Sequence, residues 1–507
     1  MDIQEIKQII ALGVACEREG RWQEAERHWQ SLLPDSESKF WGQLRLGRTY
    51  YAQSRFDEAA DILQEAIALN PGHAYAQEMF IRSMVLRDGF VEDPDQVVSG
   101  SLSATGHSVV QSLLESIHLL KQSGLKRSGF HHPVYAYIDH DTPIYDVAAH
   151  DGSISAVLNI GAHSVVMPGD WDLLGTRFEE FEVYRAIESV LVSRVCDWTD
   201  TDFYKSNISR IKSGDHVWNC DSEQAFRVRL SEDVPRLFQS IAAVGLLPQS
   251  EVGGWDPMDD IRLGVGRNGD LIFLNGQHRL AIAKLLKLTK IPVRIVVRHA
   301  EWEALRGEIE SYKDRAGGQV YQQIPHADLI DIPAVHQLER LRAVSRSIDG
   351  LGLSSGSLLD IGSHWGAVPM LFSRRGFFCD AVENNPEYLP FLRRLTSSRG
   401  SGIRIMEGSV FSLGDYSGYD VIVALNILHH FLRTEQSFTA LKEMLARIER
   451  GVMYVQTHNP DTIDRMDDYY APMTVVQFLD FIVEHSAFNR YAEIYRESDG
   501  RPIFLFS

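Results

Sequence analysis

The feature that most constrains this chain is Leu358-Leu359-Asp360-Ile361-Gly362-Ser363-His364-Trp365-Gly366, together with the apolar run and the acid-tipped strand after it. Two leucines lead to an acid and a glycine, and a second glycine comes four positions later. The apolar run Ala367-Val368-Pro369-Met370-Leu371-Phe372 then begins, and a helix-like segment ends at Gly376. A strand over 377–382 closes on Glu383, 21 residues after Gly362. This predicts a strand, a tight glycine turn, a helix and an acid-tipped strand, the pattern of a nucleotide site at the switch point of a parallel sheet. Glycines let the backbone approach a ligand, and the distal carboxylate accepts hydrogen bonds from ribose hydroxyls. The tighter Gly-x-Gly-x-x-Gly turn of a dehydrogenase is missing.

The residues downstream continue the alternation. A third strand is expected over 402–406, and residues 419–425 form the near-continuous apolar run of a strand buried on both faces. Asn426-Ile427-Leu428-His429-His430-Phe431 comes next, at its C-terminal edge, where open parallel sheets bind ligands. An amphipathic helix over 435–448, a fifth strand over 451–457 and a last hairpin from 491–495 and 503–506 complete the pattern. Upstream, a helix is expected over 333–348.

From about residue 335 onward this pattern resembles a class I S-adenosylmethionine-dependent methyltransferase, an α/β Rossmann-like fold with a mostly parallel sheet. The marks are Asp360-Ile361-Gly362 with Gly366, Glu383 at the end of strand two, and residues 425–431 in place of an LHHL-type edge. Two departures stand out. The bulky His364 and Trp365 occupy a place usually held by a small residue, and Ser409-Val410-Phe411 replaces the acid often found near the adenine. The resemblance implies that Gly362 and Gly366 line the methionine moiety, with Asp360 near its amine and Glu383 on the ribose. Ser363, His364, Ser409, Val410 and Asn426 complete the expected cofactor set. Methyl transfer to a neutral hydroxyl needs a base, for which His429, His430 or His458 is placed at a strand end. An acceptor that is already an anion, such as a phosphate, needs none.

Composition limits the rest. A chain of 507 residues holds two to four domains. With 50 basic and 69 acidic residues, the net charge of −19 argues against nucleic acid and anionic membranes as partners. The cysteines, Cys16, Cys196, Cys220 and Cys379, lack metal-ligand spacing, which fits a reducing compartment without structural zinc. No apolar run reaches the length of a membrane span, and the first residues carry no signal core. A soluble, cytoplasmic protein is expected.

Residues 1–90 carry a repeat of period 34. Leu12, Gly13, Arg21, Trp22, Glu24, Ala25 and Trp29 return as Leu46, Gly47, Arg55, Phe56, Glu58, Ala59 and Leu63. The spacing is the tetratricopeptide signature. Two copies and a half repeat over 74–86 fall short of the usual three, so they should lean on a neighbour or on a second copy of the chain. A groove for a protein partner, a homo-oligomer contact and a packing module are all open.

After a polar linker at about 90–110, an α+β region is expected over 105–305, with one amphipathic helix over 225–247. Its end carries two strands around Arg267-Asn268-Gly269-Asp270, then Asn275-Gly276-Gln277-His278-Arg279 opening a helix. A glycine at a strand end, with histidine and arginine in the first helical turn, resembles the box of ParB-like domains. That resemblance implies phosphate or nucleotide binding by Gly276, His278 and Arg279. Free N–H groups and the helix dipole favour an anion there. Some relatives are small-molecule kinases, which would bring in ATP and Mg²⁺ near Asp256, Asp259 or Asp260, with Glu251 a further candidate acid. No basic recognition helix accompanies the box.

The expected architecture is therefore multidomain. It comprises helical repeats over 1–90, an α+β ParB-like domain over 105–305 and a methyltransferase over 330–507. The expected function is methyl transfer to a glycan or small-molecule acceptor. A two-step enzyme, which phosphorylates a sugar hydroxyl and methylates that phosphate, would be similar in logic to the kinase–methyltransferases that cap O-antigen chains. The alternatives are a hydroxyl O-methyltransferase with a non-catalytic ParB-like domain, and a non-enzymatic scaffold.

Overall fold

The computed structural model describes residues 3–71, 73–88, 107–130, 135–148, 152–215, 217–218, 220–252, 260–458 and 468–507. Most of the polar stretch expected as a linker lies outside the described residues, as do Asp256 and Asp259. By residue 107 the chain is already helical, His107–Gln122. The contacts separate two compact units, Met1–Glu303 and Ala304–Ser507.

In the first unit, helices Ile3–Arg18, Trp22–Gln30, Lys39–Ala52 and Phe56–Leu69 form two helix pairs. Glycine recurs where helices touch. A Cβ on Gly13 would stand 2.5 Å from the Trp29 ring, and one on Gly47 would stand 2.4 Å from Leu63. Each repeat thus uses the same small-against-large contact. Helix Ala74–Asp88 ends the series and shares one core with helices His107–Gln122 and Ser153–Ile160, through Ile81, Val85, Val110, Leu113, Ile117 and Val157. The same core reaches Val296 and Val297 of the sheet. The short repeat array leans on the α+β part of its own unit, which supplies the apolar surface that a third repeat would otherwise give.

That part is a mixed eight-stranded sheet, in which Arg262–Val265 pairs antiparallel with Leu271–Asn275 and parallel with Ile291–His299. The expected helix over 225–247 differs from the structure. Helical residues run from Glu223 to Val244, but Arg229–Asp233 form wider π-type turns between Glu223–Val228 and Val234–Val244. The cause is Pro235, which has no N–H to return to the preceding turn.

The second unit is built on a seven-stranded sheet. We label its strands β1 (Gly356–Ile361), β2 (Phe377–Glu383), β3 (Ile403–Glu407), β4 (Val421–Leu425), β5 (Val452–Gln456), β6 (Tyr491–Arg496) and β7 (Pro502–Phe506). Their order is 3-2-1-4-5-7-6. Strands β1 to β5 are parallel, and β7 enters antiparallel to β5. The first five follow the doubly wound order, so the strand order reverses between β1 and β4, where such sheets bind ligands. The reversed β6–β7 hairpin replaces the sixth parallel strand of a dinucleotide-binding fold.

The helix expected over 333–348 is also corrected. Ala334–His336 is a short strand, parallel to Val320–Gln322, and the helix is Glu339–Gly350. Ala334 and His336 are buried while Val335 is exposed. That is the alternation of a strand rather than a helical face.

Candidate functional site

At the end of β1 the chain turns through Gly362 at φ +74° and Gly366 at φ +84°. A Cβ on Gly362 would meet Ile427 at 3.1 Å, and one on Gly366 would meet Leu392 at 2.7 Å and Thr396 at 2.8 Å. Both glycines are fixed by conformation and by close approach. Between them, His364 takes φ +52°, an uncommon setting for a residue with a side chain.

What holds the turn is Glu383. Its Oε2 accepts the His364 N–H at 2.7 Å, and its Oε1 accepts those of Asn384 at 2.9 Å and Asn385 at 2.7 Å. The backbone N–H groups of Gly362 and Ser363 donate to the Val382 carbonyl at 3.0 and 2.9 Å. The carboxylate that the sequence offers to a ribose is thus also the clasp of the glycine turn. A carboxylate offers about four acceptor positions, so one on Oε2 is left for a ligand hydroxyl.

Asp360 is buried, and its Oδ2 accepts the Ser363 hydroxyl at 2.5 Å. Burial pushes its carboxyl up to about 7, the Ser363 bond opposes this, and the Glu383 charge adds to it. Asp360, Gly362, Ser363 and His364 line a cleft with Trp365, Ala367, Val368 and Leu425. Both His364 ring nitrogens and the Trp365 indole nitrogen are buried without a hydrogen-bond partner among the described residues. The His364 ring lies 4.2 Å from Tyr388, and Trp365 stacks on Phe391 at 4.5 Å. Burial drives the His364 imidazole down to about 3, so it is neutral near neutral pH.

The rest of the cleft lining was not legible in the sequence. Tyr321, Gln322, Ile324 and Arg340 face it, from the short strand pair and the helix ahead of β1. Arg340 is 4% exposed. Its Nε donates to Gln322 Oε1 at 2.8 Å, its Nη2 donates to the same oxygen, and its Nη1 donates to Gln456 Oε1 at 2.7 Å. Gln456 in turn donates to Glu497 Oε2 at 2.5 Å, and His336 Nδ1 lies 2.9 Å from Glu497 Oε1. Asn426, at φ +57° just past β4, faces this network with its amide near Tyr321 Oη at 3.2 Å. One signal was available. Gln456 is a polar residue ending an otherwise apolar strand, at the edge where sites form.

Of the remaining expected residues, Val410 packs in the core and the Ser409 hydroxyl accepts the Phe411 N–H at 3.3 Å. His429 and His430 sit on the short helical turn Leu428–Leu432, with ring centroids 4.3 Å apart, and His458 lies 5.8 Å from His429. Their Nδ1 atoms, and both nitrogens of His458, are buried without partners among the described residues. Burial brings His429 down to about 3 and lowers His430 and His458. All three are neutral proton acceptors at neutral pH.

In the first unit, Gly276 is the left-handed N-cap of helix Gln277–Leu285, at φ +89°. A Cβ there would meet the Ile261 Cα at 2.8 Å. The His278 ring lies 3.8 Å from Trp218 and 5.8 Å from Phe203, with a buried, unpartnered Nε2, and burial brings it down to about 3. Asp260 accepts the Gln249 N–H at 3.0 Å and the Tyr135 hydroxyl at 2.8 Å, so its two oxygens are engaged. Among the described residues, no three His, Cys, Asp or Glu side chains come together as a metal site, and no helix is long and apolar enough to cross a membrane.

Comparison with known proteins adds a repeat and a set of folds. The tetratricopeptide repeat model matches residues 41–73. No curated protein sequence matches the chain. Among solved structures, monomeric WbdD is similar at 17% identity over 39% of this chain and 48% of that one, with a TM-score of 0.32. The methyltransferase domain of bacterial CtHen1-CN is similar at 16% identity over 34% and 98%, with a TM-score of 0.28. Magnesium protoporphyrin IX methyltransferase (ChlM) from Synechocystis PCC 6803, with bound SAM, is similar at 13% identity over 33% and 77%, also at 0.28. The chain spans about half the length of the first of these. Likeness at this level assigns no role to any residue.

Proposed function

We propose that residues 304–507 form an S-adenosylmethionine-dependent methyltransferase acting on a glycan or small-molecule acceptor. In this proposal the ParB-like part of the first unit is non-catalytic and transfers no phosphoryl group. The observation that carries the methyltransferase reading is the clasped turn, in which two left-handed glycines and the Glu383 carboxylate meet at the β1/β4 switch point. The residues fit the cofactor. Gly362 and Gly366 leave no room for a Cβ, Asp360 offers an acid to an amine, and Glu383 keeps one acceptor position for a ribose hydroxyl.

When bound, the cofactor supplies an electrophilic methyl group on a sulfonium. The chain's own part is alignment, since most of the rate of an in-line displacement comes from holding the reacting atoms in place. In this reading the base for a hydroxyl acceptor comes from the histidines just past β4, and His430 suits it better than His429, which burial brings down to about 3.

The two-step alternative rests on Gly276, His278 and Arg279, in the box that resembles that of ParB-like domains, some of whose relatives are small-molecule kinases. Against it, His278 is packed among aromatic rings, and Asp260 is engaged by Tyr135 and Gln249. Calorimetry with S-adenosylhomocysteine tests the main proposal. Binding to the parent that drops at least about tenfold in Glu383→Gln supports it, and no heat with the parent favours a scaffold. Arg279-dependent transfer of labelled phosphate from ATP to an acceptor glycan would instead restore the two-step enzyme.

A further inference from the structure

His364 stands between the two acids that a cofactor in this site would have to reach. The cleft is lined by Asp360, Gly362 and Ser363 as far as His364 and Trp365, and among the described residues Glu383 is not part of its lining. Glu383 is itself only 5% exposed, and its Oε2 holds the His364 N–H. From this point the His364 ring reaches Tyr388, just after β2, with centroids 4.2 Å apart. It also meets Tyr321, on the short strand ahead of β1, at 5.3 Å, and Trp365 at 5.2 Å. The imidazole therefore bridges one side of the site to the other, across the line from Asp360 to Glu383.

Among the described residues, no hydrogen bond holds the ring there. Both of its nitrogens are buried without a partner, and a neutral imidazole carries one donor and one acceptor. Leaving both unmade is costly. The backbone adds to the cost, since His364 takes φ +52°, in the left-handed region that disfavours a side chain. Opposing these costs are ring contacts, each of modest strength. Turning the side chain outward would lose the contacts with Tyr321 and Tyr388 and give both nitrogens to water. The closed and open arrangements thus lie close in energy, which is the condition for a ligand to shift one to the other.

We propose that His364 is the gate of this cleft: its ring closes the path between Asp360 and Glu383, and a ligand enters only when the ring turns away. This rests on the cofactor proposed above and adds a control of access to that same site. It also gives the bulky residue of the glycine turn a task that a small residue could not perform.

Surface plasmon resonance on the full chain, with S-adenosylhomocysteine as the probe, separates association from dissociation. His364→Gly and His364→Asn both suit the left-handed backbone and remove the ring. Each should bind at least about tenfold more tightly than the parent, the factor expected when the open ring is populated about one-tenth of the time or less. The gain should lie in faster association, with dissociation unchanged. His364→Phe keeps a ring of similar size but has no nitrogens to give to water, so it should associate more slowly than the parent. Binding by the two small variants with none by the parent would also support the gate, as one that is shut more tightly. Weaker binding by both small variants would make the ring a ligand contact and overturn the gate, and unchanged association in them would overturn it too. Both results leave the cofactor assignment standing. If the parent and all three variants fail to bind, the cofactor assignment falls and this inference falls with it.

Discussion

The two glycine-headed turns of this protein begin alike and end differently. In each, a strand leads to a left-handed glycine at a helix start, directly at Gly276 before Gln277–Leu285, and through the turn begun at Gly362 to Gly366 before Ala367–Ser373. In each, a histidine two positions from a glycine is buried with an unpartnered ring nitrogen, His278 and His364. The first turn closes on its own unit, because Gly276 touches the backbone of Ile261 and His278 lies among Trp218 and Phe203. The second is clasped by Glu383 and opens on a cleft lined by two buried ionisable groups, Asp360 and Arg340. A glycine at a strand–helix junction is thus evidence of close approach. Whether the approach is to a ligand or to the protein depends on the polar groups left around it.

The largest expected effect tests the first turn. Gly276→Ala forces a Cβ against the Ile261 Cα at φ +89°, which should cost about 3 kcal/mol of stability. Denaturant melts would measure it, and S-adenosylhomocysteine binding should not change. Loss of binding with intact stability would mean that the two turns are not distinct in role. Next is Glu383→Gln, which sets an amide N–H₂ against backbone donors and should cost about 2 kcal/mol as well as the ligand. A variant with parental stability would show that the clasp is dispensable.

A smaller effect concerns Asp360 and its raised carboxyl, at about 7. A group raised on folding contributes stability below its unfolded value, near 4, and loses it as pH rises through about 7. Asp360→Asn should therefore melt above the parent at pH 8 and match it near pH 4, while losing ligand at every pH. Smallest are the histidines. His278 and His364, both near 3 when folded, contribute stability above about 6.5 that is lost as pH falls toward 3. His278→Phe should flatten part of that acid limb in thermal melts without affecting ligand binding. An unchanged limb would mean that His278 protonates freely in the folded state.

Much of the C-terminal sheet was readable because parallel strands buried on both faces must be apolar runs, as residues 421–425 and 452–455 are. The repeat was readable because Gly13 and Gly47 recur at contacts that admit no side chain. Two expectations failed where local pattern lost to tertiary context. Residues 334–336 pair with 320–322 rather than starting a helix, and Pro235 loosens the helical run ahead of it.

The sequence by itself determined the glycine positions, the carboxylate at the end of β2 and the order of strands and helices. These come from local sterics and hydrophobic period, which act over a few residues. Only the tertiary structure decided that Glu383 closes the turn with three backbone N–H bonds, that His278 is walled in by aromatic rings, and that Arg340 and Asp360 line one cleft. These depend on groups far apart in the chain, such as Gln322, Arg340 and Gln456. The cost of burying a charge binds them together, and no local period records it.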